Sequence, residues 1–105
     1  NGRWVPDYAD PHSAMFAFMH SEGYYAKGGG YSNPRADRLV EQAASELDRA
    51  KRRALYYELQ SLASNDSPHI PTVDTSFFQV TQSWVKGWNY HPIMMYGYLY
   101  PVHKT

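Results

Sequence analysis

Residues 33–66 read NPRADRLVEQAASELDRAKRRALYYELQSLASND. Two helix-start signals divide this run. Asn33-Pro34 offers a capping side chain followed by a proline at the first helical position, where no N–H is needed. Asp48 offers a second cap. After the first signal, Leu39, Val40, Ala43, Ala44 and Leu47 recur as an apolar stripe. After the second, Leu55, Leu59 and Leu62 recur, with Tyr56 and Tyr57 on their flanks. Both spacings are helical. The two helices are joined almost directly, which predicts an antiparallel hairpin. The run Arg49, Lys51, Arg52, Arg53 falls in the first turns of the second helix, where cations are slightly unfavourable. It reads as a solvated face.

Working outward, Asp10-Pro11 repeats the same start signal. Met15, Phe16 and Met19 follow at helical spacing, and the helix is expected to stop near Gly23. Residues 24–32, with Gly28-Gly29-Gly30 among them, read as a flexible loop. It is no phosphate loop, since no Gly-Lys-Ser/Thr follows. Beyond the hairpin, residues 70–81 are rich in β-branched and aromatic side chains and predict one extended strand. Pro71 places itself at the start or edge of that strand. Val85-Lys86-Gly87-Trp88 reads as a turn into a second short extended piece, and residues 98–102 as a final strand. The expected class is a mix of α and β, three helices with a few extended strands, in one unit over residues 1–105. The strands are too few to build a sheet of their own and leave open edges. The chain therefore reads as a fragment of something larger.

Composition narrows the chemistry. Ten basic and ten acidic residues balance, so no basic stripe points to nucleic acid. No apolar run approaches the length of a membrane span. Cysteine is absent, which removes disulfides and thiol chemistry. No starting Met is present, and the chain reads as beginning mid-protein. Tyr and Trp are abundant at 10 and 3, which favours a ligand cleft or an interface over a plain bundle.

The chemistry concentrates in Arg3-Trp4-Val5-Pro6-Asp7-Tyr8-Ala9-Asp10-Pro11. Trp4 and Tyr8 supply an aromatic wall beside the carboxylate of Asp7. That combination suits a small cation with an apolar neighbour, and a peptide N-terminus is one. Asp10, directly before Pro11, reads as a helix cap instead. An enzyme using Asp7 and Asp10 as a carboxylate pair is the competing reading. Glycoside hydrolysis sets two carboxyls across a sugar, and two residues in one pre-helix loop meet that need poorly. Metal binding is weaker still. His12, His20, His69, His91 and His103 make no close pair with ligand spacing. No metal or cofactor is expected.

The motifs Trp4-x-x-Asp7-Tyr8-x-Asp10-Pro11, Tyr31-x-Asn33-Pro34-x-x-Asp37-x-Leu39, Arg53-x-Leu55-Tyr56 with Leu59-Gln60, Ser67-Pro68-His69-Ile70-Pro71 and Val85-Lys86-Gly87-Trp88 follow one another in this order. So ordered, the chain resembles the C-terminal part of the family 5 extracellular solute-binding proteins. These are the oligopeptide, dipeptide and nickel receptors of bacterial ABC importers. The resemblance runs over nearly all of the chain. It implies a piece of the second lobe of a two-lobed, non-enzymatic receptor, periplasmic or lipid-anchored outside the cell, that delivers cargo to a membrane permease. It implies that Asp7 pairs with the ligand's α-ammonium and that Trp4 lines a side-chain pocket. It also carries Thr75 over as a cleft-facing position on the extended segment. Cargo other than peptide, such as a nickel chelate, a glycoside or an opine, stays open. So does a non-binding interaction module, and in isolation the fragment is expected to self-associate.

Overall fold

The structure is a computed structural model and describes residues 4–73, 76–91 and 98–105. Its body is helical. α1 spans Pro11–Met19, α2 Tyr24–Gly28, α3 Pro34–Ser45 and α4 Arg49–Asp66. Three of these begin as the sequence dictates. The Asp10 carboxylate accepts from the His12 N–H, Asn33 Oδ1 from Arg35 and Ala36, and Asp48 Oδ1 from Ala50 and Lys51. Each cap satisfies amide groups that the first helical turn leaves without partners.

α3 and α4 run antiparallel. Asn33 and Tyr31, at the start of α3, both donate to Asp66 at the end of α4. Arg35 bonds Glu58, and Arg52 donates to the Ala43 carbonyl at the opposite end. Between them lies the core: Ala36, Leu39, Val40 and Ala43 of α3, Tyr56 and Leu59 of α4, and Met19 of α1. Full burial of Leu59 and of Val40 contributes about 1.5–3 kcal/mol each.

The apolar stripes hold with local corrections. α3 ends at Ser45, and its cap Glu46 is extended, so the helical period stops there. Leu47 therefore lies 94% exposed, and Ala44 is also exposed. On α1, Met15 and Met19 face the core, whereas Phe16 turns away and stacks on His12 and His20. One residue is a rotation of about 100° on a helix, enough to change face.

The expected loop at 24–32 begins with a helix. α2 closes in a Schellman motif: Tyr31 N–H donates to the Ala26 carbonyl, Gly30 N–H to that of Lys27, and Gly30 takes φ +72°. The glycine run thus ends a helix rather than loosening a loop.

The expected strands shift most. Of 70–81, the described residues 70–73 and 76–81 carry no regular secondary structure. Ile70, Val73, Phe78 and Val80 stand exposed there. A β-rich sequence becomes a strand only when another strand completes its hydrogen bonds. Phe77 does find ring partners, stacking 5.9 Å from Trp88 and lying 5.1 Å from Tyr90. The sheet among the described residues is two-stranded, β1 Val85–Lys86 against β2 His103–Lys104, antiparallel. The final strand thus begins just past the expected 98–102, because the chain turns at Tyr100-Pro101. Gly87, at φ +76°, lets the turn approach the Pro101 carbonyl, and a Cβ there would collide with it.

Among the described residues this strand pair packs against none of the helices. The radius of gyration is 17.7 Å, against about 13 Å for a compact chain of this length. Among the described residues of the C-terminal third, Ile70, Val73, Phe78, Val80, Leu99 and Tyr100 are exposed.

Candidate functional site

Trp4, Asp7 and Tyr8 come together. They line one open cleft of about 890 Å³, with Ser13, Phe16 and Ala17 of α1, Glu22, and Tyr24, Tyr25, Lys27 and Gly28 of α2. That volume lies in the range of small-molecule sites. Thr75 falls outside the described residues.

The entry segment is held from both sides. Asp7 N–H donates to Ser13 Oγ at 3.0 Å, and Asp10 N–H to the Tyr8 carbonyl at 2.8 Å. Ser13 is buried, at 5% exposure, and sits one turn before Ala17 on the inner face of α1. Its hydroxyl fixes the backbone of Asp7 and leaves the carboxylate unengaged. Among the described residues that carboxylate makes no ion pair or hydrogen bond, and it is exposed at the cleft.

Asp10 behaves oppositely. Arg52 grips it with two donors, Nη1 to Oδ2 at 2.9 Å and Nη2 to Oδ1 at 2.8 Å. That hydrogen-bonded guanidinium holds the Asp10 carboxyl below its usual pKa, against the opposing effect of burial. Asp10 is thus cap and anchor at once. The two carboxylates are not an acid–base pair, since Asp10 is consumed by structure.

Arg52 corrects the solvated-face reading of the basic run. It also donates to the Ala43 carbonyl at 2.8 Å and lies over the Tyr56 ring, 5.2 Å from its centroid. Its position was legible: 52, 55, 56 and 59 share one helical face with the core residues. Arg52→Met is expected to cost about 1–2 kcal/mol near neutrality. The sign with pH follows from the lowered Asp10 pKa. The stabilisation is present above the usual 3.8 and is lost as pH falls through the lower folded value. Thermal melts of variant and wild type should therefore differ more at pH 7 than in strong acid, where the Ala43 and Tyr56 contacts of Arg52 still separate them.

The walls are aromatic. Trp4 packs edge-on against Phe18 and Tyr25, at 5.5 and 5.8 Å, and Phe18 stacks on Tyr25 at 4.7 Å. His69 closes the box behind, edge-on to Phe18 with Nε2 3.2 Å from the Phe18 carbonyl. The Trp4 indole N–H is buried without an acceptor among the described residues. A second column runs Tyr8, His12, Phe16, His20, each ring stacked on the next. Tyr8 is fixed in it by a 2.6 Å hydrogen bond between its hydroxyl and His12 Nδ1. Sequence reasoning missed Ser13, Phe16 and the α2 tyrosines as cleft residues. Among the described residues no group of three His, Cys, Asp or Glu side chains is placed to hold a metal ion.

Comparison with known proteins bears on this geometry. The chain is 33% identical over 96 residues to the dipeptide-binding protein DppE of Bacillus subtilis, covering 91% of this chain and 17% of that protein. It is 25% identical over 95 residues to the probable D,D-dipeptide-binding periplasmic protein DdpA of Escherichia coli, covering 89% of this chain and 18% of that protein. Both likenesses agree with the resemblance to the family 5 solute-binding proteins. The chain spans under a fifth of the length of these curated relatives. No family model and no solved structure matches it. Both relatives are binding proteins by name.

Proposed function

We propose that this chain is part of the second lobe of a periplasmic or surface-anchored peptide receptor serving an ABC importer. Asp7 takes the α-ammonium of a short peptide, and Trp4 and Tyr8 flank its first side chain. The observation that supports this is the contrast between two neighbouring carboxylates. Asp10 is locked by Arg52, while Asp7 is held by its backbone alone and offers an unengaged anion to an aromatic cleft. Both curated relatives are named for dipeptides, which favours that ligand class.

The cleft is open, so an ammonium docked here alone stays in water. A facing lobe that closes over it removes that water, and the hydrogen-bonded charge pair then contributes about 1.5–3 kcal/mol. The same closure covers the exposed tyrosines. Recognition of backbone charge beside roomy apolar walls tolerates varied side chains. The receptor performs no chemistry on its cargo and passes it to a membrane permease.

Calorimetry on the full-length gene product tests this. Alanyl-phenylalanine is expected to bind about 10–100-fold more tightly than its N-acetyl form. Equal affinities would refute the role of Asp7.

A further inference from the structure

A serine hydroxyl carries one hydrogen and two lone pairs. Most serines near these helices spend that hydrogen inside the protein. Ser45, Ser61, Ser64 and Ser67 donate to carbonyls three or four residues earlier, and Ser21 donates to the Asp37 carboxylate. Ser13 differs. Its Oγ accepts the Asp7 N–H at 3.0 Å, and among the described residues its own O–H meets no acceptor.

Position explains the difference. Ser13 is the third residue of α1, so the carbonyl a full turn back belongs to Ala9, ahead of the helix. The Asp10 carbonyl already takes the Ser13 N–H at 3.1 Å. A polar group without a partner is costly where water is excluded, and Ser13 is buried at 5% exposure. Yet it lines the cleft, so its hydrogen is available to what the cleft holds. The indole N–H of Trp4, another cleft residue, likewise lacks an acceptor among the described residues. Both unmet groups are donors, so the ligand that suits them brings an acceptor. The place is specific as well. The Ser13 oxygen that holds the Asp7 backbone stands next to the root of the Asp7 side chain. In an α-aminoacyl compound, the carbon beside the one bearing the ammonium carries a carbonyl. Its oxygen is the acceptor that arrives with the ammonium.

We propose that the Ser13 hydroxyl donates to the first carbonyl oxygen of the ligand while its lone pair keeps Asp7 in position. The site then reads an α-aminoacyl unit rather than a bare amine. This rests on the assignment of the ligand ammonium to Asp7.

Calorimetry on the full-length gene product separates the two claims. The probes are alanyl-phenylalanine, its thioamide (sulfur in place of the first carbonyl oxygen) and its N-acetyl form. Sulfur is the weaker acceptor. In the wild type the thioamide is expected to bind about 3–10-fold more weakly than the amide. Ser13→Ala should bind the two alike and still penalise acetylation. Ser13→Cys keeps the size of the side chain with a weak S–H donor, and should do the same even where alanine disturbs the packing. Equal binding of amide and thioamide in the wild type overturns the role of Ser13. So does a preference for oxygen that survives both variants, since another donor then reads the carbonyl and Ser13 only positions Asp7. If acetylation carries a penalty while sulfur carries none, only the Ser13 inference falls. If acetylation costs nothing, or no peptide binds, the Asp7 assignment falls and takes this inference with it.

Discussion

Replacing Gly23 by alanine is expected to destabilise the helical body by about 3 kcal/mol or more. The backbone torsion is not the reason, since Gly23 has an ordinary φ of −67°. Space is the reason. A Cβ at this position would collide with the Phe16 carbonyl oxygen and lie 2.8 Å from that of Ala17. Both are backbone atoms in α1, so no side chain can swing aside. Relief requires the turn from His20 to Gly23 to move away from α1. That turn carries the Gly23 N–H bond to the His20 carbonyl at 2.7 Å and the start of α2. It also carries Ser21, whose N–H and Oγ both donate to the Asp37 carboxylate of α3 at 2.8 Å. Displacing it loosens α1 from α3 and carries Tyr24 and Tyr25 out of the cleft wall. Gly28 is the internal control. It is helical, and a Cβ there meets nothing within 4 Å. Gly28→Ala should stabilise by about 0.5–1 kcal/mol, through lower chain entropy in the unfolded state. Denaturant midpoints of the two variants in the full-length gene product should move in opposite directions.

Replacing Asp7 by asparagine is expected to weaken a free dipeptide by about 10–100-fold while leaving the melting temperature unchanged. The two halves of that expectation come from different bonds. The backbone N–H of Asp7, not its side chain, bonds Ser13, so asparagine keeps the local fold. The side chain is near-isosteric and loses only its charge. Asp10→Asn is the contrasting case, since it withdraws an anion from Arg52 and must lower stability. A variant pair of this kind separates binding from folding within one four-residue stretch.

The helical half of the fold was legible because its signals are local. Asp10, Asn33 and Asp48 each cap a helix through their own carboxylate or amide, and the stripe through Leu39, Val40 and Leu59 needs only helical period. Arg52 was misread because charge runs are mostly solvated, and only its place beside Leu55 and Leu59 betrays its inward turn. The β-rich C-terminal third was the least legible. Ile70, Val73, Phe78 and Val80 have strand propensity, but a strand is defined by a partner, and none pairs with them among the described residues. The site was half legible. Trp4, Asp7 and Tyr8 lie in one short stretch and meet in one cleft. Ser13 and Phe16 join them on α1, where Ser13 bonds the Asp7 backbone, and Tyr24 and Tyr25 join them because the turn at Gly23 brings α2 back against α1, which no local pattern announces.

The central claim is that the Asp7 carboxylate reads a ligand ammonium. Its most direct measurement is a thermodynamic cycle on the full-length gene product: wild type and Asp7→Asn, each titrated with alanyl-phenylalanine and its N-acetyl form. If the two charges meet, acetylation costs about 10–100-fold in the wild type and little in the variant, so the two losses do not add. If each change takes its own toll independently of the other, the carboxylate and the ammonium do not touch, and the cleft recognises its ligand by other means.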